Sequence, residues 1–418
     1  VTEQNVPTPE RPSLRIAALT IENFRTFRER TVIPFSGGVG AADAIATFHG
    51  DNGSGKSNAI AALELLLRAV WRFGPLGVPN EIPLPLDQPN SYGFVVSRRD
   101  GPSDARATTE IAARFADASL GSVALSLRGA GNTMFLKLVG SANALPEEKY
   151  RSLFQAALGP NSRPMASLNA SRRASRFGNV PPGETIQPAL AEALLAARLS
   201  RDPDQRARWR DFEAALLAVP AFTGMDISID RPQRGGDPEL TFERRGKSVL
   251  GLDELSSGER QLVVLFAAVL LADAAIVAIE EPELSLDAKS QRLFYEFLAR
   301  LVEKRRIDQA IIESHVAAFD GPNVIRFQRD PGEATKVSRE PTAGPESIEL
   351  AHRAAAQGAK QRWVTGDGFT RLPDAMRQEL EVSGGKHIWF LRGPERWEAW
   401  PEEELERMVG GAREAGDG

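Results

Sequence analysis

The chain has 418 residues, a formal net charge of −5 and no cysteine. Its length suggests more than one domain, and its ordinary apolar content fits a globular protein rather than a disordered one. The lack of cysteine excludes disulfides, thiolate metal sites and cysteine nucleophiles, while four histidines (His49, His315, His352, His387) leave little for a multi-histidine metal centre. No apolar run is long enough to span a bilayer, and Val1 to Arg15 is polar and unlike a signal, so a cytoplasmic location is expected.

Taken in order, Ser13 to Phe27 reads as a strand and turn, and Ala44 to Phe48 as a short apolar strand. The strand runs into Gly50-Asp51-Asn52-Gly53-Ser54-Gly55-Lys56-Ser57, and Ala59 to Phe73 follows with helical spacing. Strand, glycine loop and helix form the context of a phosphate loop. In such a loop backbone N–H groups at a helix N-terminus hold the phosphates, which assigns Asn52, Gly53, Ser54 and Gly55 to binding. Lys56 supplies the ammonium, and the Ser57 hydroxyl is a ligand for Mg²⁺.

Between Thr108 and Val139 alternating segments predict antiparallel strands at 111–115, 123–127 and 134–139. The Ser/Arg/Asn/Pro-rich span from Asn161 to Pro182 reads as a loop, and Ala189 to Val219 as a helical stretch. From Arg163 to Arg210 nine arginines stand against four acidic residues. This basic excess could track the phosphates of DNA or form a solvated helix face, and it could equally bind an acidic protein.

Ser256 to Leu271 is predicted helical, Ala275 to Ile279 a buried strand, Ser290 to Glu303 a helix and Gln309 to Ile312 a strand. Alternating strands and helices argue for an α/β fold with a largely parallel sheet. The strand Ala275–Ile279 ends in Glu280-Glu281-Pro282-Glu283, which puts carboxylates at the sheet edge beside the phosphate loop. Glu280 is the candidate metal-supporting group, and Glu281 the candidate carboxylate for the attacking water. Leu255-Ser256-Ser257-Gly258-Glu259-Arg260-Gln261-Leu262 reads locally as a helix cap.

In company with the phosphate loop, that segment resembles the signature of ABC-type ATPases. The order of phosphate loop, signature, carboxylate strand, Leu284-Ser285-Leu286-Asp287 and His315 is similar to an ABC-ATPase head. The resemblance implies an ATP–Mg²⁺ sandwich between two heads, with Ser256 and Gly258 acting on the nucleotide of the other subunit. It implies that Asp287 is the D-loop residue and His315 a catalytic switch touching the γ-phosphate. The opening Glu22-Asn23-Phe24-Arg25-Thr26-Phe27 resembles the start of the RecF, SMC and OLD-like branch, which makes Arg25 a nucleotide-site candidate. Gln88 is available as the glutamine that such heads place after the first helix.

No heptads long enough for a coiled-coil arm lie between loop and signature, and no metal-binding nuclease module follows His315. The expected organisation is an ABC-type head over residues 1–340, with a helical, Arg-rich insertion at about 145–220. A linker at 341–359 and a small module at 360–418 follow. Val364 to Leu380, followed by a hairpin over His387–Leu391 and Arg396–Trp400, resembles the AbrB/MraZ swapped-hairpin module. From Lys360 onward acidic residues outnumber basic ones, which favours dimerisation or docking over DNA binding. The expectation is a self-associating ATPase of a bacterial anti-phage defence system with a separate effector protein. The alternative is a RecF-like DNA-maintenance ATPase.

Overall fold

The computed structural model describes residues 12–36, 43–74, 81–87, 100, 107–130, 133–140, 147–159, 161–168, 186–231, 236–244, 249–283, 286–314, 324–339, 388–392 and 397–401. The chain divides into two compact units, Val1–Thr342 and Ala343–Gly418.

The first unit begins with β1 (Ile16–Glu22), β2 (Thr31–Pro34) and β3 (Ile45–His49), then α1 (Lys56–Phe73). It continues with β4 (Ile82–Pro85), β5 (Thr108–Phe115), β6 (Ser122–Ala130), β7 (Thr133–Gly140) and α2 (Glu147–Leu158). Next come β8 (Arg163–Leu168), α3 (Ile186–Leu199), α4 (Pro203–Leu217), β9 (Met225–Asp230), β10 (Glu239–Arg244) and β11 (Val249–Gly251). The unit closes with α5 (Ser257–Leu271), β12 (Ala274–Glu280), α6 (Ala288–Glu303), β13 (Gln309–Ser314), β14 (Val324–Gln328) and β15 (Lys336–Arg339).

Two larger sheets organise these elements. The first is antiparallel, in the order β2-β1-β5-β6-β7-β4. The second, β15-β14-β3-β13-β12-β8, is parallel except for β15. Strands β9 to β11 make a small antiparallel sheet of their own. The α/β class expected from the sequence holds, with the parallel sheet carrying the phosphate loop.

Alternation along the parallel strands explains the two cores. Ile276 and Ala278 of β12 join a core with α1, α2 and the antiparallel sheet, whereas Val277 and Ile279 join a second core with α3 to α6. A strand covered on both faces must be apolar throughout, and β12 is buried along all but its last residue. Helix α1 lies in the first core and is correspondingly apolar on most of its circumference, with Ile60, Leu63, Leu65, Leu66, Leu67 and Val70 all buried.

Two expectations need correction. The span predicted as loop from Asn161 contains β8, which pairs in parallel with β12 as an edge strand; an edge tolerates Pro164, whose missing N–H would break an interior ladder. The rest of that span, 169–182, lies outside the described residues. The helical stretch from Ala189 to Val219 is two helices. Asp202 caps α4 by accepting the Asp204 N–H at 2.9 Å, and Pro203 occupies the first turn, where a proline lacks no needed donor. No described helix is long and apolar enough to cross a membrane.

In the second unit the hairpin expected near the C-terminus is present as β16 (Ile388–Arg392) and β17 (Trp397–Pro401), with Trp389 opposite Trp400 in register. The Val364–Leu380 segment, which carries most of the AbrB/MraZ resemblance, lies outside the described residues.

Candidate nucleotide site

The loop between β3 and α1 is bent in ways that side chains resist. Gly50, Gly53 and Gly55 have φ of 150°, 81° and 112°. A Cβ on Gly50 would lie 2.1 Å from the Phe327 carbonyl oxygen, and one on Gly55 would lie 2.6 Å from Thr335 Oγ1 and 2.9 Å from Thr26 Oγ1. These walls come from far away in the chain. Phe327 belongs to β14, Thr335 precedes β15, and Thr26 lies in the turn after β1. The Thr335 hydroxyl donates to the Ser54 carbonyl at 2.9 Å, and the Thr335 N–H donates to the Thr26 carbonyl at 3.2 Å. Asn58 Nδ2, one turn into α1, donates to Thr26 Oγ1 at 3.0 Å.

The same turn positions Arg25, whose backbone is in the left-handed region (φ 53°). Its guanidinium donates to Asp100 Oδ1 at 2.8 Å and to Asn58 Oδ1 at 3.4 Å. It therefore stands beside the first turn of α1, held by Asp100 rather than left open to solvent on all sides.

Helix α1 starts at Gly55 with no side-chain cap and no acidic residue in its first turn. Its first N–H groups and the positive end of its dipole face a loop whose tip, Asp51 to Gly53, is exposed. Lys56 is buried. Its ammonium donates to the carbonyls of Gly50 (2.6 Å) and Asp51 (3.0 Å) and lies 3.7 Å from Glu313 Oε1. Burial holds its pKa below the ordinary lysine value, against the opposing pull of Glu313 and then Glu281. Ser54 Oγ is buried without a hydrogen-bond partner. An uncapped helix start, a lysine folded onto its own loop and an unsatisfied hydroxyl fit a bound phosphate chain.

Three parallel strands bring the acidic residues to this loop. Strand β13 lies between β3 and β12, with Ser314 opposite His49 on one side and Glu313 opposite Glu280 on the other. Burial raises the Glu280 carboxyl to about 7, and the neighbouring Glu313 charge adds to the rise, opposed by a hydrogen bond from Ser167 Oγ at 3.4 Å. Glu281 leaves the strand in the left-handed region (φ 45°), an uncommon conformation for a glutamate, and its N–H donates to the Glu313 carbonyl at 2.8 Å. Strain of this kind concentrates where a side chain must be aimed. Glu283 accepts from Ser314 Oγ at 3.1 Å.

Glu313 is the residue that sequence reasoning missed. Its Oε1 accepts the Ser57 hydroxyl at 2.9 Å, so it touches both side chains of the phosphate loop that carry chemistry. The available signal was a carboxylate directly after the apolar run Ala310–Ile312, at a position buried in the fold. The donors here are oxygens of a hydroxyl and carboxylates, which suit a hard cation such as Mg²⁺. Among the described residues no three acidic or histidine side chains gather into a metal cage.

The signature residues are elsewhere. Ser256 caps α5, accepting the Glu259 N–H at 3.3 Å while Glu259 Oε2 accepts the Ser256 N–H at 2.9 Å. This reciprocal box holds the helix start using neighbours only, and Ser256 and Ser257 are exposed. Gly258 follows within the first turn. Asp287 caps α6 by accepting the Ser290 N–H at 2.7 Å, which holds its carboxyl below the usual range. His315, Gln88, Leu284 and Ser285 lie outside the described residues.

Among the described arginines of the basic segment, only Arg208 is taken into the interior. Arg208 is buried and paired with Asp273, with a further bond to the Leu270 carbonyl at 2.9 Å. Arg198 stacks over Trp209 and bonds the Ile229 carbonyl. Arg198, Arg201, Arg206 and Arg210 are exposed and Arg163 is half-buried, while Arg172, Arg173 and Arg176 lie outside the described residues.

Two family models match the chain. Residues 149–317 match one described as "AAA domain, putative AbiEii toxin, Type IV TA system", and residues 18–70 match another described as an AAA domain. No curated protein matches. Among solved structures, an SMC head bound to the C-winged helix domain of ScpA is similar at 17% identity and a TM-score of 0.48, covering 81% of this chain and 99% of that one. An SMC head domain from Thermotoga maritima is similar at 16% identity and 0.44, covering 78% and 99%. An Smc head with an extended coiled coil, bound to the C-terminal domain of ScpA and derived from Pyrococcus furiosus, follows at 15% and 0.45, covering 83% and 100%. The two AAA-domain matches span the phosphate loop in one case and both acidic strands in the other.

Proposed function

We propose that this chain is an ATPase that binds ATP with Mg²⁺ and completes its site with a second copy of itself. The observation that carries the reading is the convergence of Lys56 and Ser57 with Glu280, Glu281 and Glu313 at one end of the parallel sheet. Backbone N–H groups of the Asn52–Gly55 loop and the start of α1 bind phosphate oxygens. Lys56 exchanges its loop carbonyls for the β- and γ-phosphates. Ser57 would hold the metal, with Glu280 supporting it. Bound there, Mg²⁺ would offset the charge on the β- and γ-phosphate oxygens. Glu281 orients the attacking water and takes its proton.

An exposed helix start at Ser256, stabilised from within, suits a surface that meets nucleotide across a subunit boundary. In this reading Ser256, Gly258 and Asp287 act in trans, and ATP is a ligand that favours the paired state. His315 contributes to the γ-phosphate end, and Arg25 stands near the loop. The biological setting we favour is the ATPase component of a bacterial anti-phage system with a separate effector. The toxin–antitoxin wording of the match over residues 149–317 supports a two-component arrangement. A DNA-bound role through the basic segment is the second reading: Arg198, Arg201, Arg206 and Arg210 are exposed, whereas Arg208 is buried against Asp273.

The test uses fluorescent-nucleotide binding, phosphate release and light scattering on the purified chain. Lys56→Ala should lose nucleotide binding. Glu281→Gln should retain binding, lower phosphate release by about 100-fold or more, and accumulate as a dimer when ATP is added. Retained binding in Lys56→Ala, or wild-type turnover in Glu281→Gln, would sink the assignment.

A further inference from the structure

We propose that Glu313, rather than Glu280, is the positioning carboxylate that aims the Ser57 hydroxyl at the metal, and so sets how strongly Mg²⁺ tightens nucleotide binding. The inference rests on the ATP–Mg²⁺ reading and goes one step inside it.

A serine hydroxyl has one proton to donate and two lone pairs to offer. Once the proton is committed, the lone pairs are fixed in direction. Here the proton goes to Glu313 Oε1 at 2.9 Å. Glu280 accepts from Ser167 of the neighbouring edge strand instead. The sheet order explains the division. Strand β13 separates β12 from β3, so the carboxylate ending β13 is one strand from the phosphate loop and the carboxylate ending β12 is two. Each acid therefore serves its own side of the sheet edge.

Glu313 is also well fixed. It is buried, its carbonyl accepts the Glu281 N–H, and its carboxylate lies 3.7 Å from the Lys56 ammonium. A group held at three places can hold another in turn. It also links the metal side of the site to Glu281 through a single backbone hydrogen bond, so the residue that aims Ser57 also sets where the chain turns toward the water-activating carboxylate.

A purely structural role for Glu313, as a partner for buried Lys56, would alter nucleotide binding with and without metal alike. A role through Ser57 would alter only the part that depends on metal. The experiment titrates a fluorescent ATP analogue into wild type, Lys56→Ala, Ser57→Ala, Glu313→Gln and the Ser57→Ala/Glu313→Gln double variant, each with EDTA and with Mg²⁺.

Wild type should bind more tightly with Mg²⁺. Glu313→Gln should keep its EDTA affinity within about twofold and lose about tenfold of the Mg²⁺ gain, the loss typical when a residue supporting a metal ligand is removed. In the Ser57→Ala background the same change should add nothing, because the hydroxyl it would position is gone. Circular dichroism and thermal melting confirm that each variant is folded. Should Glu313→Gln not fold, Glu313→Asp, which keeps the charge on a shorter arm, should show a partial loss of the Mg²⁺ gain. A full Mg²⁺ gain in Glu313→Gln, or equal losses with EDTA and with Mg²⁺, would overturn the proposal. Absence of nucleotide binding by wild type in both buffers would instead overturn the ATPase reading itself.

Discussion

The phosphate loop and the signature segment are built on opposite plans. The loop is walled by residues from two other parts of the unit: Thr26 after β1, and Phe327 and Thr335 of the β14–β15 hairpin. The start of α5 holds itself, through a reciprocal bond pair between Ser256 and Glu259 three residues apart. A binding loop that must match a triphosphate needs rigid surroundings, and the fold supplies them from several strands. In the proposed reading the start of α5 meets nucleotide bound to a second copy, and such a surface must keep its shape alone. The local cap does that without using any long-range polar contact of Ser256.

The largest effect that could break this comparison is at the loop walls. Gly50→Ala places a Cβ against the Phe327 carbonyl oxygen, in a backbone conformation that only glycine adopts readily. It should lower unfolding stability by about 3 kcal/mol, and with it abolish nucleotide binding, as read by chemical denaturation and nucleotide titration. A stable, binding-competent Gly50→Ala would mean the loop is not walled as described. Ser256→Ala should cost only about 1 kcal/mol, the price of a local cap, while phosphate release falls far more than stability. Equal losses would reduce Ser256 to a cap.

The sharpest test of the two plans is complementation. Lys56→Ala and a Ser256→Arg chain should each be inactive alone. Mixed, they should regain turnover, because one of the two shared sites then has an intact loop from one chain and an intact signature from the other. A mixture as inactive as its parts would argue that each chain works by itself.

The smallest effect concerns Glu280 in protein free of nucleotide and metal. Its carboxyl titrates at about 7 when folded, against an ordinary value of 4.5, because burial and the Glu313 charge disfavour ionisation. The folded state therefore binds the proton more tightly. Its stabilising effect is present below pH 4.5 and is lost as pH rises through about 7. Glu280→Gln should flatten that part of the stability–pH curve measured by thermal melting, and an unchanged slope would place the titration elsewhere.

The sequence exposed the phosphate loop because its chemistry is contiguous: glycines, Lys56 and Ser57 sit in one run between a strand and a helix. The acidic end of β12 was legible for the same reason. Glu313 was not, because its importance comes from β13 lying between β3 and β12, and strand order is a property of the sheet rather than of any local pattern. Strand β8 was hidden by a polar, proline-bearing composition that only an edge position tolerates. The break between α3 and α4 was readable in Asp202-Pro203, a cap followed by a residue that starts helices, but helical spacing on both sides masked it. In the basic segment, charge counted along the chain does not reveal that Arg208 faces inward to Asp273 while Arg198, Arg201, Arg206 and Arg210 stay exposed.

The walls of the phosphate loop also have a consequence for the order in which this protein is made. Thr335 and Thr26 are hydrogen-bonded neighbours, yet almost the whole first unit is synthesised between them. A nascent chain that has just emerged past Ser57 already carries every residue of the nucleotide-binding motif but neither Phe327 nor Thr335 to shape it. The ribosome must release nearly all of the unit before the two ends can meet, so in the proposed reading the pocket for ATP is finished only late in synthesis.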